Sequence, residues 1–191
     1  MSDILTIDTG AGVIKEHKLE LLPVYGDSLP MLSEVVPEYT DALPNSQMTE
    51  LVQRMKMTMK AHGGLGLAAT QCGVFQRVFI IGFQDFAITC INPKIIKASE
   101  KFEKDDEGCL SFPGLMFKIN RPASIDVEFT TEEGEVKQLT LTGVTARCFQ
   151  HELDHLNGIK FVEKVGPTTL MLARQKQAKL LKQVHRIKKK L

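Results

Sequence analysis

Nothing in this 191-residue sequence approaches the roughly 20 apolar residues that a membrane-spanning helix needs. The most apolar run, "VFIIGF" (78–83), is short and reads as a buried strand. The first 22 residues lack a basic start followed by an apolar core, and they hold too many acids for an organelle transit segment. A cytoplasmic setting is therefore expected. The cysteines at 72, 90, 109 and 148 form no CxxC pair and no disulfide framework, so they read as free thiols or ligands. No repeat or linker divides the chain, and one domain over 1–191 is expected. Acid is missing as well, since neither Asp nor Glu follows Glu163. Residues 165–191 instead carry eight Lys/Arg, while the other 164 residues carry 16 basic and 23 acidic side chains. A mildly acidic body thus ends in a strongly basic tail.

What remains has the composition of an ordinary globular protein, 43% hydrophobic and 25% charged. Residues 1–22 are a poorly periodic lead-in. Four prolines between 23 and 45 point to loop and short turns. From Ser46, a hydroxyl N-cap candidate, apolar residues at Met48, Leu51, Val52, Met55 and Met59 predict a helix closed by Gly63. The methionine stripe reads as core packing. "RVFIIGF" and "FAITCINPKIIKA" read as strands, and 123–143 as a hairpin about its Glu-Glu-Gly turn. "TARCFQHELDHLN" is helical up to Gly158, and a last helix is expected from Pro167. The order predicts an α+β fold, mostly antiparallel sheets around a central helix, with a basic C-terminal helix over 167–191.

That central helix holds "QHELDHLNG" (150–158), in which His151 and His155 lie one turn apart on one face and can share a metal ion. A catalytic metal site usually takes a third protein ligand. One metalloprotease pattern would place a histidine where Phe161 stands, and another would use a downstream glutamate that the acid-free tail does not supply. His185 sits among like charges. The third ligand is therefore expected upstream, where His17, His62, the cysteines and scattered acids remain. Cys148 lies one turn before His151 and stays open. Cys109, in "DDEGCLSFPG" beside Gly108 and a Pro-Gly turn, is the leading candidate, since thiolate suits zinc or iron(II).

"GLGLAATQ" (64–71), "EGCLS" (107–111) and "QHELDH" (150–155), in this order, resemble the three signature motifs of peptide deformylases. The resemblance runs from about Leu22 to the C-terminus and leaves 1–22 as an N-terminal extension. It implies a metal-dependent hydrolase that removes the formyl group from N-formylmethionyl nascent peptides and releases formate. It implies Cys109, His151 and His155 as ligands of one divalent metal, with Fe2+ as the native ion and Zn2+, Ni2+ or Co2+ also fitting. A metal-held hydroxide would attack the formyl carbon, with Glu152 as general base and acid. The Gln71 amide and the Leu110 N–H would form the oxyanion hole. Leu65 and Gly66 would offer backbone to a peptide lying as an added strand, with Gly64 allowing the close approach.

The methionine side chain would enter a pocket of Leu65, Val144, Cys148 and the His151 ring, with Phe149 a further candidate. Arg147 is expected in a structural ion pair pointing away from that pocket, and Glu107 with Arg121 as a pair steadying the Cys109 loop. At Met116 many bacterial members carry an arginine, so peptide preference beyond methionine is expected to differ. The helix stripe Leu170, Ala173, Gln177, Leu180, Val184, Ile187 and Leu191 leaves basic faces free. By resemblance these dock on ribosomal RNA, in a protein expected to be monomeric. A zinc-type endopeptidase and a structural-metal or RNA-binding module are the rival readings.

Overall fold

The computed structural model describes residues 19–83 and 86–188. After a loop with one short 3-10 turn (Pro30–Ser33), helix α1 (Ser46–Ala61) leads into strand β1 (Gly66–Ala68). Strands β2 (Val78–Phe83), β3 (Phe86–Ala98), β4 (Phe102–Gly108), β5 (Met116–Pro122), β6 (Ser124–Thr130) and β7 (Val136–Thr142) follow. Helix α2 (Gly143–Leu156), a 3-10 turn (Phe161–Lys164) and helix α3 (Pro167–Lys188) complete the order. The strands form an antiparallel five-stranded sheet, β1-β2-β3-β6-β7, and a separate β4-β5 hairpin. The α+β expectation holds, with both histidines on α2.

The uninterrupted apolar run of β2 has a direct cause, because this strand is covered on both faces. Phe79 and Ile81 join the layer beneath α2, where Phe149 meets Phe79 edge to face at 4.9 Å and Leu153 and Leu156 complete the packing. Val78 and Ile80 face the other way, onto Met48, Val52, Met55 and Met59 of α1. A third cluster joins the hairpin residues Phe117 and Ile119 to Phe112, Leu115 and Phe161, with Leu170 and Ala173 of α3 against it.

Three local expectations change. The N-cap of α1 is Asn45, not Ser46, since the longer Asn45 side chain accepts from the Met48 N–H at 2.9 Å. Helix α2 begins at Gly143, where φ of +55° turns the chain out of β7. The strands β1, β4 and β5 did not stand out in the sequence, β4 because all but one of its residues are exposed and polar-rich. Residues 1–18 of the expected extension, including His17, lie outside the described part. So do the side chains of Leu180, Val184, His185 and Ile187, and all of Leu191. Among the described residues no helix is long and apolar enough to cross a membrane.

Candidate metal centre and active site

Helix α2 presents His151 and His155 one turn apart, both buried, with ring centroids 5.1 Å apart. The loop leaving β4 carries Cys109 to them, and its Sγ lies 3.2 Å from His155 Nε2. One ligand atom from each of Cys109, His151 and His155 lies within 4.8 Å of the other two, the sole such group found among the described residues. A tetrahedral ion with bonds of about 2.0–2.3 Å spans ligand atoms about 3.5 Å apart, so this donor set fits a divalent cation after small adjustments. Cys148 is not part of the group. Its thiol instead donates to the Leu65 carbonyl at 3.2 Å.

Behind the histidines runs a buried charge network. Glu107 accepts from Arg121 through both oxygens, at 2.6 and 2.8 Å, and from Arg147 at 2.7 Å. Its Oε2 also lies 3.1 Å from His151 Nδ1, which leaves the other ring nitrogen for the cysteine side. Arg121 reaches on to Asp154 at 2.8 Å, and Lys164 closes the chain onto the same oxygen at 3.0 Å. Burial alone would raise the Glu107 pKa, but Arg121 and His151 hold it down at about 2. Burial likewise pulls His151 down, yet its bonds to Cys109 and Glu107 and the charge of Glu152 hold it up at about 10. His155 moves the other way, well below the usual imidazole range, through burial and then repulsion from His151 and Arg121. A proton is thus held more tightly on His151 than on His155, and a cation that binds both imidazoles displaces it.

Two polar groups look into this centre. The Ala68 N–H donates to Gln71 Oε1 at 2.9 Å and so fixes the amide. Its Nε2 then faces Cys109 Sγ at 3.3 Å and the Ser111 hydroxyl at 3.2 Å. Glu152 is buried, and its Oε2 has no hydrogen-bond partner among the described residues. Burial, only partly offset by His151 and Arg121, pushes its pKa to about 7. The backbone of β1 presses on this carboxylate: a Cβ at Gly66 would sit 2.8 Å from both Glu152 Cδ and Cys148 Sγ. No side chain larger than hydrogen fits there.

A cleft of about 800 Å³ opens over the centre, lined by Gly64, Leu65, Gly66, Gln71, Cys109, Leu110, Val144, Cys148, His151 and Glu152 among others. Of Cys109, His151, His155, Glu152, Gln71, Leu110, Leu65, Gly66, Val144 and Cys148, nine line this cleft, and the tenth, His155, is buried. Leu65 and Val144 are on the exposed rim. Phe149 is not in the cleft; it points to the opposite side of α2, into the layer against Phe79. Arg147 is ion-paired as expected, but it also lines the cleft. His62, an upstream ligand candidate, lines the cleft but is not in the ligand group, and sequence reasoning missed Ser111, Asp154 and Lys164, with Asp105 and Asp106 at the cleft wall. Asp154 stood inside the histidine motif, but only the fold brings Arg121 and Lys164 to it.

Cleaving an amide takes a Lewis acid for the carbonyl, a base for water and a donor for the developing negative charge. All three can be assembled within this cleft, which puts the chain among metal-dependent amide hydrolases. A model of the polypeptide deformylase family matches residues 21–170. The chain is similar to the peptide deformylase of Thermotoga petrophila, 36% identical over 163 residues that cover 85% of this chain and 97% of that one. The crystal structure of a peptide deformylase from Legionella pneumophila superimposes with a TM-score of 0.80 at 29% identity, covering 87% of this chain and 99% of that one. A Met-Ala-Ser-bound class I type b peptide deformylase from Acinetobacter baumannii gives a TM-score of 0.73 at 30% identity, covering 78% and 100%. This chain belongs to the peptide deformylase family.

Proposed function

We propose that this chain deformylates N-formylmethionyl nascent peptides with Cys109, His151 and His155 as metal ligands, Glu152 as the proton carrier, and Gln71 and the Leu110 N–H as oxyanion donors. The observation that carries this reading is the unpartnered, buried Glu152 Oε2 beside the Cys-His-His cluster. A divalent cation, when bound, supplies Lewis acidity to the formyl oxygen and to the attacking water. Glu152 accepts the proton of that water and passes it to the departing nitrogen as the C–N bond breaks, leaving formate and a free amine. Gln71 Nε2, held by Ala68, and the Leu110 N–H donate to the oxygen on which charge develops. Glu107 holds the His151 ring through its Nδ1.

The peptide lies along β1. This is an edge strand of the five-stranded sheet, so Leu65 and Gly66 can offer backbone groups to one more strand. Leu65, Val144, Cys148 and His151 take the methionine side chain, and Met116, 61% exposed on the cleft, gives the groove beyond it an apolar edge. The soft thiolate with two imidazoles suits Fe2+ as the native ion, with Zn2+, Ni2+ or Co2+ as substitutes.

The remaining parts of the reading concern the cell. Lys176, Lys179 and Lys182 on α3 are exposed, which suits docking on ribosomal RNA by a cytoplasmic monomer. Formate and free amine measured from a formyl-Met peptide, beside an internal peptide with no formyl group, test the whole. Formate from the first alone is expected; cleavage of the internal peptide overturns the reading in favour of an endopeptidase.

A further inference from the structure

We infer that Arg174 and Gln177, on the second and third turns of α3, are positioning residues that clasp the loop bearing Cys109. That loop, residues 109–115, joins β4 to β5 and is held from within by two turns, Phe112 N–H to Cys109 O at 2.9 Å and Leu115 N–H to Phe112 O at 3.1 Å. From the sheet side Gln71 fixes Cys109 and Ser111. From the opposite side α3 supplies polar contacts to it. The Gln177 amide donates to the Pro113 carbonyl at 2.6 Å, and the Arg174 guanidinium lies 5.7 Å from the centre of the Phe112 ring. Arg174 also donates to Gln177 Oε1 at 3.4 Å, which leaves Gln177 Nε2 for Pro113, and it is paired with Asp27.

The clasp has a packed route to the metal ligands. Phe112 is buried and meets Phe161 at 5.3 Å, and Phe161 in turn lies 5.6 Å from the His151 ring. A shift of Phe112 therefore moves both the loop that carries the thiolate and the ring that backs an imidazole. A basic terminal helix could have been joined to the body by its apolar stripe alone. Here its polar side chains are spent on the loop that delivers the third ligand, so the first turns of α3 belong to the centre. The inference rests on Cys109 being a ligand.

Full-length protein loaded with Co2+ provides the test, because a cobalt–thiolate bond gives a charge-transfer absorption independent of turnover. Gln177→Ala and Arg174→Gln should each bind Co2+ about 10-fold more weakly, in the range typical of groups that orient metal ligands, with a weakened or shifted thiolate band. kcat should fall while KM for a short formyl-Met peptide stays near wild type. Arg174→Lys keeps a cation for Asp27 and Phe112 and should restore most of the affinity. Gln175→Ala, exposed on the same helix, should leave Co2+ affinity, the band and kcat at wild-type values. Co2+ affinity and band equal to wild type in folded Gln177→Ala overturn the clasp, and if that variant does not fold, the same reading on Arg174→Gln decides. A thiolate band persisting in Cys109→Ala overturns the ligand assignment instead.

Discussion

The His151 Nδ1 atom lies 3.1 Å from Glu107 Oε2, and both oxygens of that carboxylate are already gripped by Arg121. The imidazole is thereby held to a part that cannot rotate, with its other nitrogen turned toward Cys109. Glu107→Gln keeps the shape and removes the charge. Metal affinity should drop about 10- to 100-fold, read by competition with a chelator, while KM for peptide moves little. Unchanged affinity would mean that the ring is held by packing alone.

Gly66 lies against the Glu152 carboxylate through its lack of a side chain. Gly66→Ala would drive a methyl group against Glu152 and Cys148, so one of them must move. Overpacking of this kind costs about 1–3 kcal/mol, and displacing a proton carrier costs roughly 100-fold or more in kcat. Steady-state kinetics with a chemical-denaturation curve give both numbers. A fully active, equally stable variant would show that the Glu152 position is not confined by β1.

Phe149 separates packing from substrate contact. Buried against Phe79, it should cost about 3–5 kcal/mol on truncation to alanine. The loss should appear in unfolding, with KM for formyl-Met peptide close to wild type at a temperature where the variant is folded. A rise in KM without loss of stability would return Phe149 to the methionine pocket.

Cys72 sets an alkaline limit. Burial, then the charge of Glu152, raise its thiol from 9.0 to about 12. Because the folded pKa lies above the unfolded one, the folded chain keeps a proton that the unfolded chain releases. Stability is then intact below pH 9 and declines as pH rises from 9 toward 12. From about pH 8 to about pH 10.5, wild type should lose roughly 2 kcal/mol more than Cys72→Ala does over the same span. Parallel pH profiles for the two proteins would contradict the burial argument.

Elements that bury one periodic face could be read directly: the methionines of α1, the 124–142 hairpin and the histidine helix all announce themselves by spacing. The doubly covered β2 could be recognised as buried but not oriented, because a run with both faces apolar carries no period. The β4-β5 hairpin was hidden because exposed β4 has no apolar alternation, although the Glu107–Arg121 pair that joins its strands was expected and is present. Within the cleft, His151 and His155 follow from helical geometry, whereas joining them to Cys109 takes a long-range contact that residue spacing alone left open. Gln71, Ser111 and the α3 clasp are further from local signals still, since each works by reaching across the chain.

The central claim is that Glu152 moves the proton while Cys109, His151 and His155 hold the metal. Metal content and formate release measured together on Glu152→Gln test it most directly. One equivalent of metal retained, with kcat on a formyl-Met peptide reduced by about 10²–10⁴-fold, is the result the account predicts. Wild-type turnover in that variant, or loss of its metal along with its activity, would contradict it.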